Sequence, residues 1–325
     1  MSDAPISYAD ILAARARIAP HLDPSPVRHY PLLDALVGHG IRVLVKHENH
    51  LPINSFKVRN ATSALTALDP AFAMRGVAAA STGNHGQGLA WAGARLGIPV
   101  TIFVPEGNNP EKNAIIRGYG ARLIETGATY DDAATACAAL AEAEALTLIH
   151  STNHREVLSG AGTMTAEFLE QAPELDAIVI ALGGGSQAVG AIVTRDARRP
   201  ALQVYAVQSD AARAQHDAWH DGQPRSGQPA RTFAEGIATG STYALTFETL
   251  RAGLADFVLT TDAEIAQGVR DLLRITHNLP EGSGATGLAG LRALAPTLAG
   301  RTVGIVMCGG NLDAERLTEI LTGRR

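Results

Sequence analysis

Cysteine is nearly absent. The 325 residues hold two, Cys137 and Cys308. Two thiols make no disulfide framework, and their scarcity fits a reducing cytoplasm. Aromatic residues are only 5% of the chain, too few to build a track of stacking platforms for single-stranded nucleic acid. Charge of one sign is lacking too: 27 Lys and Arg stand against 32 Asp and Glu, a net charge of −5. No basic stretch offers a footprint to a polyanion, so no nucleic-acid partner is expected. No apolar run reaches the roughly 18 residues of a membrane span. The opening MSDAPISYADILAARARIAPHL carries acids and lacks a leucine-rich core, so it does not read as a secretory signal. What is plentiful is apolar material, at 46% against 18% charged. That balance excludes a disordered chain and supports a sizeable core. The length is that of two domains or one large α/β unit.

Short apolar runs predict strands at Val43–Lys46, Val77–Ala80, Val100–Val104, Ala121–Glu125, Ile178–Leu182, Gln203–Val207 and Val303–Met307. Uninterrupted runs of this kind mark strands buried on both faces. Between them lie Ala-rich stretches of helical spacing, among them Gln87–Leu96, Asp131–Ala145 and Glu156–Gln171. The alternation predicts parallel sheets flanked by helices, in two α/β domains with a cleft between them. Residues 219–231, WHDGQPRSGQPAR, read as a surface loop. His216 and His220 stand at i and i+4, as in a zinc-binding HExxH with Asp for Glu, but no third ligand follows. They read as surface, and no metal site is expected.

Five segments carry possible chemistry. Asn54-Ser55-Phe56-Lys57-Val58-Arg59-Asn60-Ala61 places a lysine at the start of a helix, where the dipole favours anions. Such an amine is either solvated or desolvated for a Schiff base with an aldehyde cofactor. Gly183-Gly184-Gly185-Ser186 follows a strand and opens a helix, an arrangement suited to cradling a phosphate. Read as Gly183-x-Gly185-x-x-Ala188 it also fits the dinucleotide fingerprint of an NAD-binding oxidoreductase. That fingerprint wants an acid about 20 residues on; Gln208 stands there, and Asp210 comes slightly late. Ser81-Thr82-Gly83-Asn84-His85-Gly86 can cap a helix or hold a carboxylate. Cys308-Gly309-Gly310-Asn311 lies at a strand C-terminus, where ligands sit in open α/β sheets. Glu281-Gly282-Ser283-Gly284-Ala285 sets a carboxylate ahead of a helix start.

Taken in order, SFKVRNA, STGNHGQG, GGGSQ, EGSGA and CGGN resemble the pyridoxal-phosphate enzymes of fold type II, closest to the serine/threonine dehydratase and serine racemase family. The resemblance runs from about His47 to Asn311. The fold it implies is α/β and tryptophan synthase β-like, two domains each with a mainly parallel sheet flanked by helices and the active site in the cleft between them. The large domain would be residues 1–75 with 153–325, and the small one 76–152. The resemblance implies that Lys57 carries pyridoxal 5′-phosphate and serves as the base, with Phe56 against the ring and Asn84 on its 3-oxygen. Gly183, Gly184, Gly185 and Ser186 would hold the phosphate, and Cys308 would face the pyridine nitrogen. Ser81, Thr82, Asn84 and His85 would surround the substrate carboxylate, and Glu281 would lie near the ring. The implied activity is a dehydratase (ammonia-lyase) of β-hydroxy L-amino acids, in a cytoplasmic homodimer. Racemisation or β-replacement is the alternative on the same fold. Four positions depart from the family pattern: Asn54 for Gly, Ser186 for the fourth Gly of the phosphate loop, Gln187 for an apolar residue and Cys308 for Ser or Thr. Gln208 stands where racemases have a metal-binding Glu.

Overall fold

The computed structural model describes residues 4–323. Ten strands are present: β1 (Val27–His29), β2 (Arg42–His47), β3 (Val77–Ala80), β4 (Val100–Val104), β5 (Arg122–Glu125), β6 (Thr147–Leu148), β7 (Ala177–Ala181), β8 (Gln203–Ser209), β9 (Asp256–Thr260) and β10 (Thr302–Met307). They form a six-stranded sheet, β1-β2-β10-β7-β8-β9, and a four-stranded sheet, β5-β4-β3-β6. Every pairing is parallel except that of β1 with β2. The seven expected strands are all there, within a residue or two of their expected ends.

Three strands were not expected. β6 has two residues and β1 three, too short to show a period. β9 opens on Asp256 and is an edge strand with only part of its length buried. Central strands read clearly because helices cover both faces: β4 and all but the last residue of β7 are buried. The three expected helices appear as Asn84–Leu96, Tyr130–Ala143 and Arg155–Gln171. The second begins at a capping box, in which Thr129 accepts from the Asp132 N–H and Asp132 bonds back to Thr129. The polar stretch 219–231 needs one correction. Trp219, His220 and Asp221 end the helix Ala214–Asp221, and the loop proper starts at Gly222, which is left-handed. Trp219 is anchored there, its indole donating to Leu250 O at 3.1 Å. Among the described residues, no group of three or more His, Cys, Asp and Glu is placed to hold a metal ion.

A buried ionic group lies under the Lys57 helix. Lys46 and Arg59 meet Glu48 and Glu167, and all four side chains are shielded from water. Arg59 spans both acids, with Nε 2.7 Å from Glu48 Oε2 and Nη2 2.9 Å from Glu167 Oε1. Ser25 donates to Glu48 Oε1 at 2.6 Å, and its carbonyl accepts from Lys46 Nζ at 2.7 Å. The group joins β2, the helix Lys57–Thr66 and the helix Arg155–Gln171.

Candidate active site

Lys57 is placed by the chain before it. Ile53 and Asn54 both adopt positive φ, 61° and 50°. Asn tolerates that region better than other side chains, which accounts for Asn54 where the family has Gly. Ile53, β-branched, pays roughly 1–2 kcal/mol for it. The bend lets the next residues lace onto the loop after β10. Phe56 N donates to Cys308 O at 3.0 Å, and Gly310 N donates to Asn54 O at 2.9 Å. Lys57 then opens its helix half-buried, Nζ 3.5 Å from Ser151 O and 5.0 Å from the Phe56 ring centre. Burial pushes its pKa down to about 8, against the opposing pull of Cys308 and Glu281.

The glycine loop is a cradle that side chains would fill. A Cβ on Gly183 would lie 2.4 Å from Gly236 O, and one on Gly184 would lie 2.0 Å from Thr152 Oγ1. Among the described residues, no acceptor is present for the N–H groups of residues 183–188. Six successive free N–H groups at the positive end of the helix Ser186–Arg198 suit a phosphate.

The Ser81–His85 turn offers a second set of donors. Ser81 Oγ accepts from Gly86 N at 2.9 Å, while the N–H groups of Thr82, Asn84 and His85 have no acceptor among the described residues. The His85 ring is engaged within the protein. Its Nε2 bonds to Ile149 O at 3.0 Å, so that nitrogen carries the proton and Nδ1 is a bare lone pair. Burial, then Lys57, holds the ring pKa down to about 3, so it stays neutral. What His85 offers a carboxylate is its backbone N–H.

Glu281 gathers the rest. Asn84 Nδ2 donates to both its oxygens at 3.0 Å, Ser283 Oγ donates to Oε1 at 2.6 Å, and Asn311 N donates to Oε2 at 3.2 Å. The Cys308 thiol lies 3.6 Å from Ser283 Oγ. Burial, with Glu281 adding to it, pushes that thiol up to about 12, so it is neutral and no nucleophile at ordinary pH. Gly236 links this network to the glycine loop, since a Cβ there would lie 2.6 Å from Ser283 Oγ. All five sequence segments thus meet in one place. Sequence reasoning missed Ser283, Asn311 and Gly236, though all three stand inside family-like segments, the last in FAEGIATG at Phe233–Gly240, and missed Thr152 and Thr246, whose Oγ1 donates to Gly184 O at 2.9 Å. No local pattern marks those two.

The dinucleotide reading gains no support from β8, where Gln208 is fully buried and accepts from His216 N at 3.2 Å.

Comparison with known proteins agrees. The family model described as "Pyridoxal-phosphate dependent enzyme" matches residues 18–309. An L-threo-3-hydroxyaspartate ammonia-lyase of Pseudomonas sp is 34% identical over 98% of this chain and 99% of its own length. A beta-hydroxyaspartate dehydratase of Paracoccus denitrificans is 30% identical over 96% of this chain and 98% of its own. Maize serine racemase superposes with a TM-score of 0.92 at 28% identity, covering 98% of each chain. With a family match that spans residues 18–309 and the five motif segments brought together in the fold, this protein is a member of the pyridoxal-phosphate dependent enzymes, with the fold of type II.

Proposed function

We propose that the protein is an ammonia-lyase (dehydratase) of β-hydroxy L-amino acids, giving a 2-oxo acid and ammonia by α,β-elimination. The observation that carries this is the convergence of Lys57, the glycine loop and the Ser81–His85 turn in one site, with Lys57 in a setting that favours its neutral form. With its pKa near 8, about a tenth of the amine is neutral at pH 7, against about one in 3,000 for an ordinary lysine. A neutral amine is both the nucleophile that captures an aldehyde and the base that takes a Cα proton. Pyridoxal phosphate, when bound, supplies the electron sink for charge developing at Cα.

The chain's residues divide the remaining work. Lys57 would hold the cofactor and move the Cα proton, and Phe56 would lie against the ring. Gly183, Gly184, Gly185 and Ser186 would hold the phosphate through backbone N–H groups. Asn84 would bond the 3-oxygen, Glu281 would lie near the ring, and Cys308 would face the pyridine nitrogen as a neutral partner. Ser81 orders the turn whose Thr82, Asn84 and His85 N–H groups take the substrate carboxylate. A neutral group at that position would leave the electron sink moderate, which would favour loss of the β-hydroxyl over racemisation. The cleft is taken to lie between a large domain, 1–75 with 153–325, and a small one, 76–152. Support for this comes from β3 to β6, which all fall in the second span. A cytoplasmic homodimer completes the reading. Both cysteines are buried and free, in keeping with a reducing compartment, and the dimer rests on the family resemblance.

The test is ammonia and 2-oxo acid release from serine, threonine, phenylserine and 3-hydroxyaspartate, with chiral analysis of the residual amino acid. Equimolar ammonia and oxo acid is expected, and a Lys57→Ala variant that folds but shows no turnover. A D-isomer accumulating as fast as oxo acid, or more than a trace of activity without Lys57, would overturn it.

A further inference from the structure

The segment Ile149–Thr152 follows β6, and three of its four residues touch the site. Ile149 O accepts from the His85 ring at 3.0 Å, Ser151 O accepts from Lys57 Nζ at 3.5 Å, and the Thr152 hydroxyl packs on Gly184. His150 stands between them with solvent-reachable surface. Two backbone N–H groups, of Thr152 at 2.9 Å and Asn153 at 2.8 Å, donate into its Nδ1. That nitrogen therefore carries no proton, and the neutral ring is locked as the Nε2–H tautomer. The ring is steadied edge-on against Tyr243, centres 5.7 Å apart. Among the described residues, Nε2 has no acceptor. His150 is thus a fixed donor beside Lys57 with nothing to donate to. It is not a general acid, because protonating Nδ1 would break both backbone bonds; burial and the nearby Lys57 also lower its pKa.

We propose that His150 determines specificity for the substituent on the substrate's β-carbon. Its Nε2–H reads a hydrogen-bond acceptor there, and the acceptor that rewards a fixed donor most is a carboxylate. The methyl of threonine and the ring of phenylserine offer no such acceptor. Tyr243, whose hydroxyl lies 3.1 Å from Thr239 Oγ1, extends the same polar wall. The substrate class this selects is the 3-hydroxy amino dicarboxylates. The inference rests on the lyase reading above and deepens it.

Steady-state kinetics of wild type, His150→Phe and His150→Gln on 3-hydroxyaspartate and threonine test it, with the visible absorption of each loaded protein as the check on folding and loading. Phe keeps a ring against Tyr243 and removes the donor. It should lower kcat/KM for 3-hydroxyaspartate at least about tenfold, or about 1.4 kcal/mol, mainly through KM. Threonine should stay within about threefold. Gln, which retains an N–H donor, should recover part of the loss. Equal losses on both substrates, or no loss on either, overturn the proposal. If wild type turns over no β-hydroxy amino acid, the lyase reading fails instead, and calorimetric binding of succinate decides the role of His150. Binding at least about tenfold weaker in His150→Phe upholds it, and equal binding overturns it.

Discussion

The Asn84 side-chain amide donates to both carboxylate oxygens of Glu281, 3.0 Å from each, joining residues 197 positions apart. With Ser283 and Asn311 also donating to it, this acid accepts four hydrogen bonds from three donor groups in a buried setting. Glu281→Ala strands those donors, at a cost of about 3 kcal/mol. Thermal unfolding of the cofactor-free protein should move down by about 5 °C. Glu281→Gln keeps the volume and one acceptor and should fall less. A Glu281→Ala protein with unchanged Tm would show that the network contributes no stability.

Capture of the cofactor should follow the neutral fraction of Lys57. That lysine titrates near pH 8 because burial disfavours its charge. The rate at which cofactor-free protein takes up pyridoxal phosphate should rise with pH and level off above about 8. Stopped-flow absorbance measures it. A rate still climbing steeply towards pH 10 would mean that the amine is solvated.

Cys308 should be inert. Its thiol, pushed up to about 12 mainly by burial, offers no thiolate at pH 8. A disulfide reagent should find it only after unfolding, as it should Cys137, which burial raises to about 11. Cys308→Ser should retain activity within roughly tenfold, a barrier change of about 1.4 kcal/mol. If Cys308→Ser is as dead as Lys57→Ala, the thiol takes a covalent part.

Gly183→Ala should loosen the cofactor. The added methyl meets a backbone carbonyl, Gly236 O, at 2.4 Å, and a backbone atom cannot step aside as a flexible side chain does. Spectrophotometric titration should show the Kd for pyridoxal phosphate raised at least tenfold. Gly118→Ala is the control, because its Cβ meets nothing within 4 Å and its φ is not positive. Unchanged affinity in Gly183→Ala would remove the cradle from the phosphate site.

The sequence was most readable where burial is uniform. Val100–Val104 and Val77–Ala80 match their runs residue for residue, because a strand covered on both faces takes a nearly unbroken apolar run. It was least readable at sheet edges, where β1 and β6 are pinned by neighbours rather than by pattern. The site divides the same way. Lys57 and the glycines announce themselves through local turn and helix-start chemistry. The Ser283–Cys308 contact spans 25 residues and the Thr152–Gly184 contact 32, so only the folded chain shows them. His150 looked like any histidine after a strand; the two backbone N–H groups that fix its tautomer come from the turn that follows it.

Lys46, Glu48, Arg59 and Glu167 balance to zero charge away from water. Removing any one leaves an unmatched buried charge, at about 3–5 kcal/mol, a large share of a typical domain's stability. Exchange of the whole set for apolar residues of similar volume carries no such charge. A homologue that lacks one of the four should therefore lack its counterion as well. Across descent these positions should change together, as a single heritable character, and a library varying one site at a time should score each as immutable.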